Sequence, residues 1–112
     1  MSEAQDISPF KALDFMRDKA HEFGQKKGYM IFMQEKRKTV KAMLMASSSE
    51  KTESAKETYA YSHEDYKTHL AELRDAVADY ETLRIQMSAA EAKIEVWRSL
   101  ESSARAEGRA TQ

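Results

Sequence analysis

Six basic and two aromatic side chains crowd into one short stretch of this chain: Lys26, Lys27, Lys36, Arg37, Lys38 and Lys41, with Tyr29 and Phe32 among them. Lysine and arginine neutralise phosphates and release condensed counterions whatever the base sequence. Aromatic faces stack on unpaired bases, each contact being worth about 1–3 kcal/mol. The combination suits single-stranded nucleic acid. The competing reading is a solvated basic helix face with two core aromatics between the charges. Only about three or four of these cations can share one side of a helix, so a lone subunit would bind weakly and a ring of subunits would gain by avidity.

Other chemistry finds little support. Asp18 and His21 stand three apart, and Asp65 and His69 four apart, so each pair can share a helix face. Helical di-metal sites want a Glu-x-x-His pair with further core glutamates, a form that neither pair has. No Ser-His-acid set, glycine-rich phosphate loop or H-E-x-x-H motif stands out. Cysteine is absent, which removes disulfides, thiolate ligands and thiol nucleophiles together. The expectation is a non-enzyme with no metal and no cofactor. The polar N-terminus and the lack of about 20 consecutive apolar residues predict neither a secretory signal nor a membrane span, hence a cytoplasmic protein.

The elements that position these groups read as helices. Three glycines and one proline in 112 residues are too few for a turn-rich β fold, and no apolar/polar alternation occurs. One apolar stripe runs through Leu13, Met16, Ala20, Phe23, Met30, Met33, Val40 and Leu44. A second runs through Tyr66, Leu70, Leu73, Val77, Tyr80, Leu83, Met87, Ala90, Ile94, Trp97 and Ala104. Steps of three and four place each set on one side of a helix. Two successive steps of three, Val77 to Tyr80 to Leu83, predict a slip in the heptad there.

Ser8-Pro9 makes a good helix start, with serine as cap and proline where its missing N–H costs nothing. The spacing predicts one domain: a helix over about 9–45, a polar linker over about 46–62, a helix over about 63–105 and a disordered tail at 106–112. Met1 to Ile7 is expected to fray. Gly24 and Gly28 either bend the first helix or admit a close backbone. The linker either holds a short helix capped by Ser49 or is mobile. Ser62-His63-Glu64-Asp65 reads as a capping-box variant opening the second long helix. The fold class is all-α, a coiled-coil-like helical hairpin.

Charge divides along the chain. Up to Met45, nine Lys/Arg face six Asp/Glu; from Ala46 onward nine face thirteen. The basic half can serve an acidic partner, or the halves can simply attract each other in the hairpin. Phe10, Phe15, Ile31, Phe32, Met43, Met45, Ile85 and Val96 fall off the two stripes and need a second surface. A chain with so thin a core is expected to associate with copies of itself. The candidate oligomer interface is Met30, Met33, Leu44, Tyr80, Leu83, Met87, Ile94 and Trp97, with the methionines as adaptable filler.

The run Lys36-Arg37-Lys38-Thr39-Val40-Lys41-Ala42-Met43-Leu44, a polar linker, and a long helix with Tyr66-Lys67 and Ala78-Asp79-Tyr80 resemble the UvsY family of phage recombination mediators. The likeness covers roughly Tyr29 to Arg98. It implies a helical, closed oligomer that binds single-stranded DNA and helps a RecA-like recombinase replace single-strand-binding protein. The family's basic motif would place its lysine at Lys41 and its arginine at Met43, where this chain is apolar; Arg37 and Lys38 stand nearby. The resemblance thus implies single-stranded DNA and a recombinase or single-strand-binding protein as partners. The reading from another class is a coiled-coil adaptor, scaffold or inhibitor acting through protein contacts alone.

Overall fold

The computed structural model describes residues 8–110. Met1 to Ile7, Thr111 and Gln112 lie outside the described residues, and the expected frayed start falls on them. The chain is all-α, without strands among the described residues, in the order α1 (Pro9–Ser47), α2 (Glu53–Ser62) and α3 (Glu64–Ala110). Residues pack as two compact units. One combines α1 up to Phe23 with α3 from Thr82 onward; the other runs from Gly24 to Glu81. In each, α1 and α3 pair as arms of a helical hairpin.

Local chemistry explains the helix ends. Ser8 caps α1 as its sequence promises: its Oγ accepts from Lys11 N at 3.2 Å. The expected cap of α2 moves from Ser49 to Thr52, whose Oγ1 accepts from Ala55 N at 3.1 Å. Ser48 is occupied otherwise, its Oγ accepting from Glu50 N at 3.0 Å. The cap of α3 is His63 rather than Ser62. Asp65 N donates to His63 Nδ1 at 3.0 Å, and Tyr66 N and Lys67 N both reach His63 O. Ser62 instead donates its hydroxyl back to Thr58 O at 2.7 Å, inside α2. One histidine therefore closes α2 and opens α3.

Neither Gly24 nor Gly28 breaks α1, which is continuous through both. A Cβ at either position would meet nothing within 4 Å, so no backbone presses against them either. Gly108 likewise fails to stop α3, which continues to Ala110. Much of the expected disordered tail is helix.

The seam of the Gly24–Glu81 unit is built by Met30, Met33, Val40 and Leu44 of α1 and Tyr66, His69, Leu73, Ala76 and Tyr80 of α3, all buried or half-buried. α2 closes this end. Its Ala60 is completely buried against Leu44 and Tyr66, with Val40, Met45 and Tyr59 packed around. In the other unit the seam is Pro9, Ala12, Met16 and Phe23 against Leu83, Met87, Ala90 and Ile94. The α3 series, 66-69-73-76-80-83-87-90-94, alternates threes and fours with no interruption, so the expected slip at Tyr80–Leu83 does not occur. His69 and Ala76 hold the positions assigned to Leu70 and Val77. Leu70 is 40% exposed, and Leu13 52%.

His69 is the one buried polar residue among the described residues. Its Nε2 donates to Met33 O of α1 at 2.8 Å, because a carbonyl can only accept. That bond ties α3 to α1 at a fixed register. Half of the buried hydrophobic residues are alanines: Ala12, Ala60, Ala76 and Ala90. Small residues bring helices together but remove little apolar area from water. The seam is narrow, and large side chains remain outside it.

Candidate nucleic-acid interface

Arg37, Lys38 and Lys41 lie within four residues on α1, so they span little more than one turn. Together with Tyr61 of α2 and Tyr66 of α3 they line a cleft of about 300 Å³. Tyr66 is seam-buried and supports Tyr61, ring edge to ring face, with centroids 5.2 Å apart. Tyr61 itself is 47% exposed. Lys41 Nζ sits 4.8 Å from the Tyr61 ring centroid and 3.5 Å from Glu57 Oε1. A hydrogen bond with Tyr61 raises the Lys41 ammonium above its ordinary value of 10.5; Glu57 adds to this and partial burial opposes it.

The neighbouring cations are less engaged. Lys38 pairs with Glu35 at 3.4 Å, both side chains about 70% exposed; such a pair is worth well under about 1 kcal/mol and yields readily to a phosphate. Arg37 makes no ion pair among the described residues. Lys27 is eleven residues before Lys38 and hence on the same side of α1, about three turns away. The cleft thus gathers three cations beside an exposed aromatic ring.

The remaining nominated residues do not join it. Lys26 is half-buried in the line of the seam. Lys36 stands nine residues from Lys27, close to half a turn around α1. It lines a different groove, of about 520 Å³, with Val40, Met43, Leu44, Ser47, Asp65, Thr68, His69 and Glu72. Two carboxylates there oppose a phosphate. Tyr29 and Phe32 are on the Lys36 side of α1, 54% and 59% exposed, and neither stacks beside the Arg37 cluster. Met43, where the resemblance puts an arginine, also faces that groove. The aromatic partner of the cations is Tyr61, which comes from the linker. Tyr59-Ala60-Tyr61, two aromatics in an otherwise polar run, was the signal for it.

The expected oligomer residues have these places within the chain. Met33, Leu44 and Leu83 are buried within the chain itself. Met30, Tyr80, Met87 and Ile94 are half-buried in the same seams. These seven are taken up by the hairpin; only Trp97, at 37% exposure, is presented outward. The surface instead carries Phe10, Ile31, Phe32, Met43, Ile85, Val96 and Leu100.

The His69 ring is turned into the seam, where its Nε2 is engaged with Met33 O. No cluster of three or more metal-ligating side chains occurs among the described residues. None of their helices is long and apolar enough to cross a membrane. No family model matches the chain, and no curated protein or solved structure shows significant similarity to it.

Proposed function

We propose that this chain is a non-enzymatic accessory protein that binds single-stranded DNA in the manner of a phage recombination mediator. The observation that carries the reading is the convergence of Arg37, Lys38 and Lys41 on the Tyr61–Tyr66 cleft. Three cations around a propped aromatic offer phosphate contacts and a stacking surface in one place. Unpaired strands supply both needs, whereas a duplex hides its base faces. The resemblance to the UvsY family adds the setting, with a recombinase or single-strand-binding protein as the partner exchanged on the strand.

The test is binding of a labelled oligonucleotide across a salt series. About three phosphate contacts per protomer give a slope of log K against log salt near −2 for a single strand. Lys38→Glu combined with Arg37→Glu should abolish binding, and Tyr61→Leu should weaken single strands more than duplex. No retention of oligonucleotide at low salt would remove the proposal.

A second reading rests on the opposite side of the Gly24–Glu81 unit. There Met43 lines a groove with Lys36, Asp65 and Glu72, and Tyr29 and Phe32 are exposed on the same side of α1. A mixed apolar and charged groove of that kind suits a protein segment rather than a polyanion, as in an adaptor, scaffold or inhibitor. Oligonucleotide binding unaltered by the charge reversals would favour it.

A further inference from the structure

The last third of α3 lies outside the seam formed by the described residues. Its start still packs on α1: Ser8, Lys11, Ala12 and Phe15 border one recess with Gln86, Ala89, Ala90 and Lys93. Ile94 is the final half-buried position. Every residue from Glu95 to Ala110 is exposed, roughly 24 Å of solvated helix. A helix of that length gains little from propensity alone, and Ser99, Ser102, Ser103 and Gly108 lower it further. Yet one side carries Val96 at 44%, Trp97 at 37% and Leu100 at 48% exposure. Such residues serve burial.

We infer that this segment is a self-pairing element: two copies of the chain associate through it, antiparallel, about a two-fold axis at Leu100. The argument is charge and shape. Lys93, Val96, Trp97, Leu100, Ala104 and Glu107 are spaced by threes and fours and share one side of α3. Lys93 and Glu107 stand seven residues to either side of Leu100. Antiparallel pairing therefore sets each Lys93 opposite Glu107 of the second copy, twice over. Parallel pairing would set Lys93 on Lys93 and Glu107 on Glu107, which is repulsive. Neither side chain makes an ion pair within its own chain among the described residues.

Size is complementary in the same direction. Val96 faces Ala104 of the second copy, Trp97 faces its Ser103, and leucine meets leucine on the axis. A shallow recess of about 280 Å³ lies beside Val96, Ser99, Leu100 and Ser103, next to where the second Trp97 arrives. From Glu95 to Ala110 three arginines balance three glutamates, so no net charge opposes approach. The contact is short and belongs with interfaces below about 1,200 Å², which are weak ones. This inference uses none of the residues of the DNA proposal and stands or falls apart from it.

The experiment is a charge swap read by sedimentation or light scattering of the full chain at tens of micromolar. Lys93→Glu alone places glutamate on glutamate and should raise the dissociation constant about tenfold or more at low salt. Glu107→Lys alone should do the same through lysine on lysine. Mixing these two variants in equal amounts should restore association, since each then supplies what the other lacks. The double variant should associate by itself. Leu100→Asp should dissociate the pair while the hairpin's cooperative thermal unfolding, followed by far-ultraviolet circular dichroism, is retained. A wild type that stays monomeric, single variants that associate unchanged, or a mixture no tighter than its components would overturn the inference.

Discussion

Lys41 lies over the Tyr61 ring and beside the Glu57 carboxylate. The raised ammonium fixes a pH dependence. Its contribution to the α1–α2 contact is complete below the unfolded-lysine value near 10.5 and is lost as pH rises through the higher folded value. The Lys41 Cε resonance should titrate above 10.5, and Tyr61→Phe should bring its midpoint back down. His69 sets the second expectation at this scale. It is 3% exposed and bonded to Met33 O, so His69→Ala removes packing and a hydrogen bond and should cost on the order of 2 kcal/mol in urea unfolding. His69→Leu fills the space without an orphaned donor and should fall within about 1 kcal/mol of the wild type. The sequence disclosed part of this. The basic run was legible because lysine and arginine on one helix need no tertiary knowledge to be noticed. Which of them converge was not, because α2 decides it by bringing Tyr61 and Glu57 to Lys41. His69 was absent from the expected stripe for a similar reason: the carbonyl that satisfies its ring nitrogen lies on α1.

Among the elements, α1 and α3 follow from periodicity, but the stripe that periodicity suggests is rotated from the one that is buried. Leu70 outscores His69, and Val77 outscores Ala76, in any count of apolar residues. The seam nevertheless takes His69 and Ala76, since an unbroken three-four alternation keeps one side of α3 on α1. The linker left a short helix as one of two alternatives, because the support from Ala60 and Tyr59 works through contacts distant in sequence. The glycines give the test at this scale. α1 is continuous through Gly24 and Gly28, with open space around both. Gly24→Ala and Gly28→Ala should each stabilise the chain by roughly 0.5–1 kcal/mol, additively, as read by thermal unfolding. Destabilisation at either site would mean that α1 needs to bend there. At the other junction, His63→Ala should cost about 1 kcal/mol, because Asp65 N loses its acceptor while Glu64 and Asp65 still suit the helix start.

For the molecule as a whole, the decisive quantity is the ratio of what is covered to what is not. The buried apolar positions are half alanine, while Phe10, Phe32, Met43, Ile85 and Leu100 remain open to water. Anything that binds only the folded chain adds to its stability by mass action. The unfolding midpoint should therefore climb with protein concentration for the wild type and stay level for Leu100→Asp. The unsupported end of α3 has one more consequence. A protease needs locally opened chain, and a helix stripped of tertiary neighbours opens cheaply. Arg98, Arg105 and Arg109 all lie in that stretch. A solitary molecule thus offers its C-terminal arginines for trimming, whereas a clasped one shields them, and turnover becomes a gauge of whether the protein has found its mate.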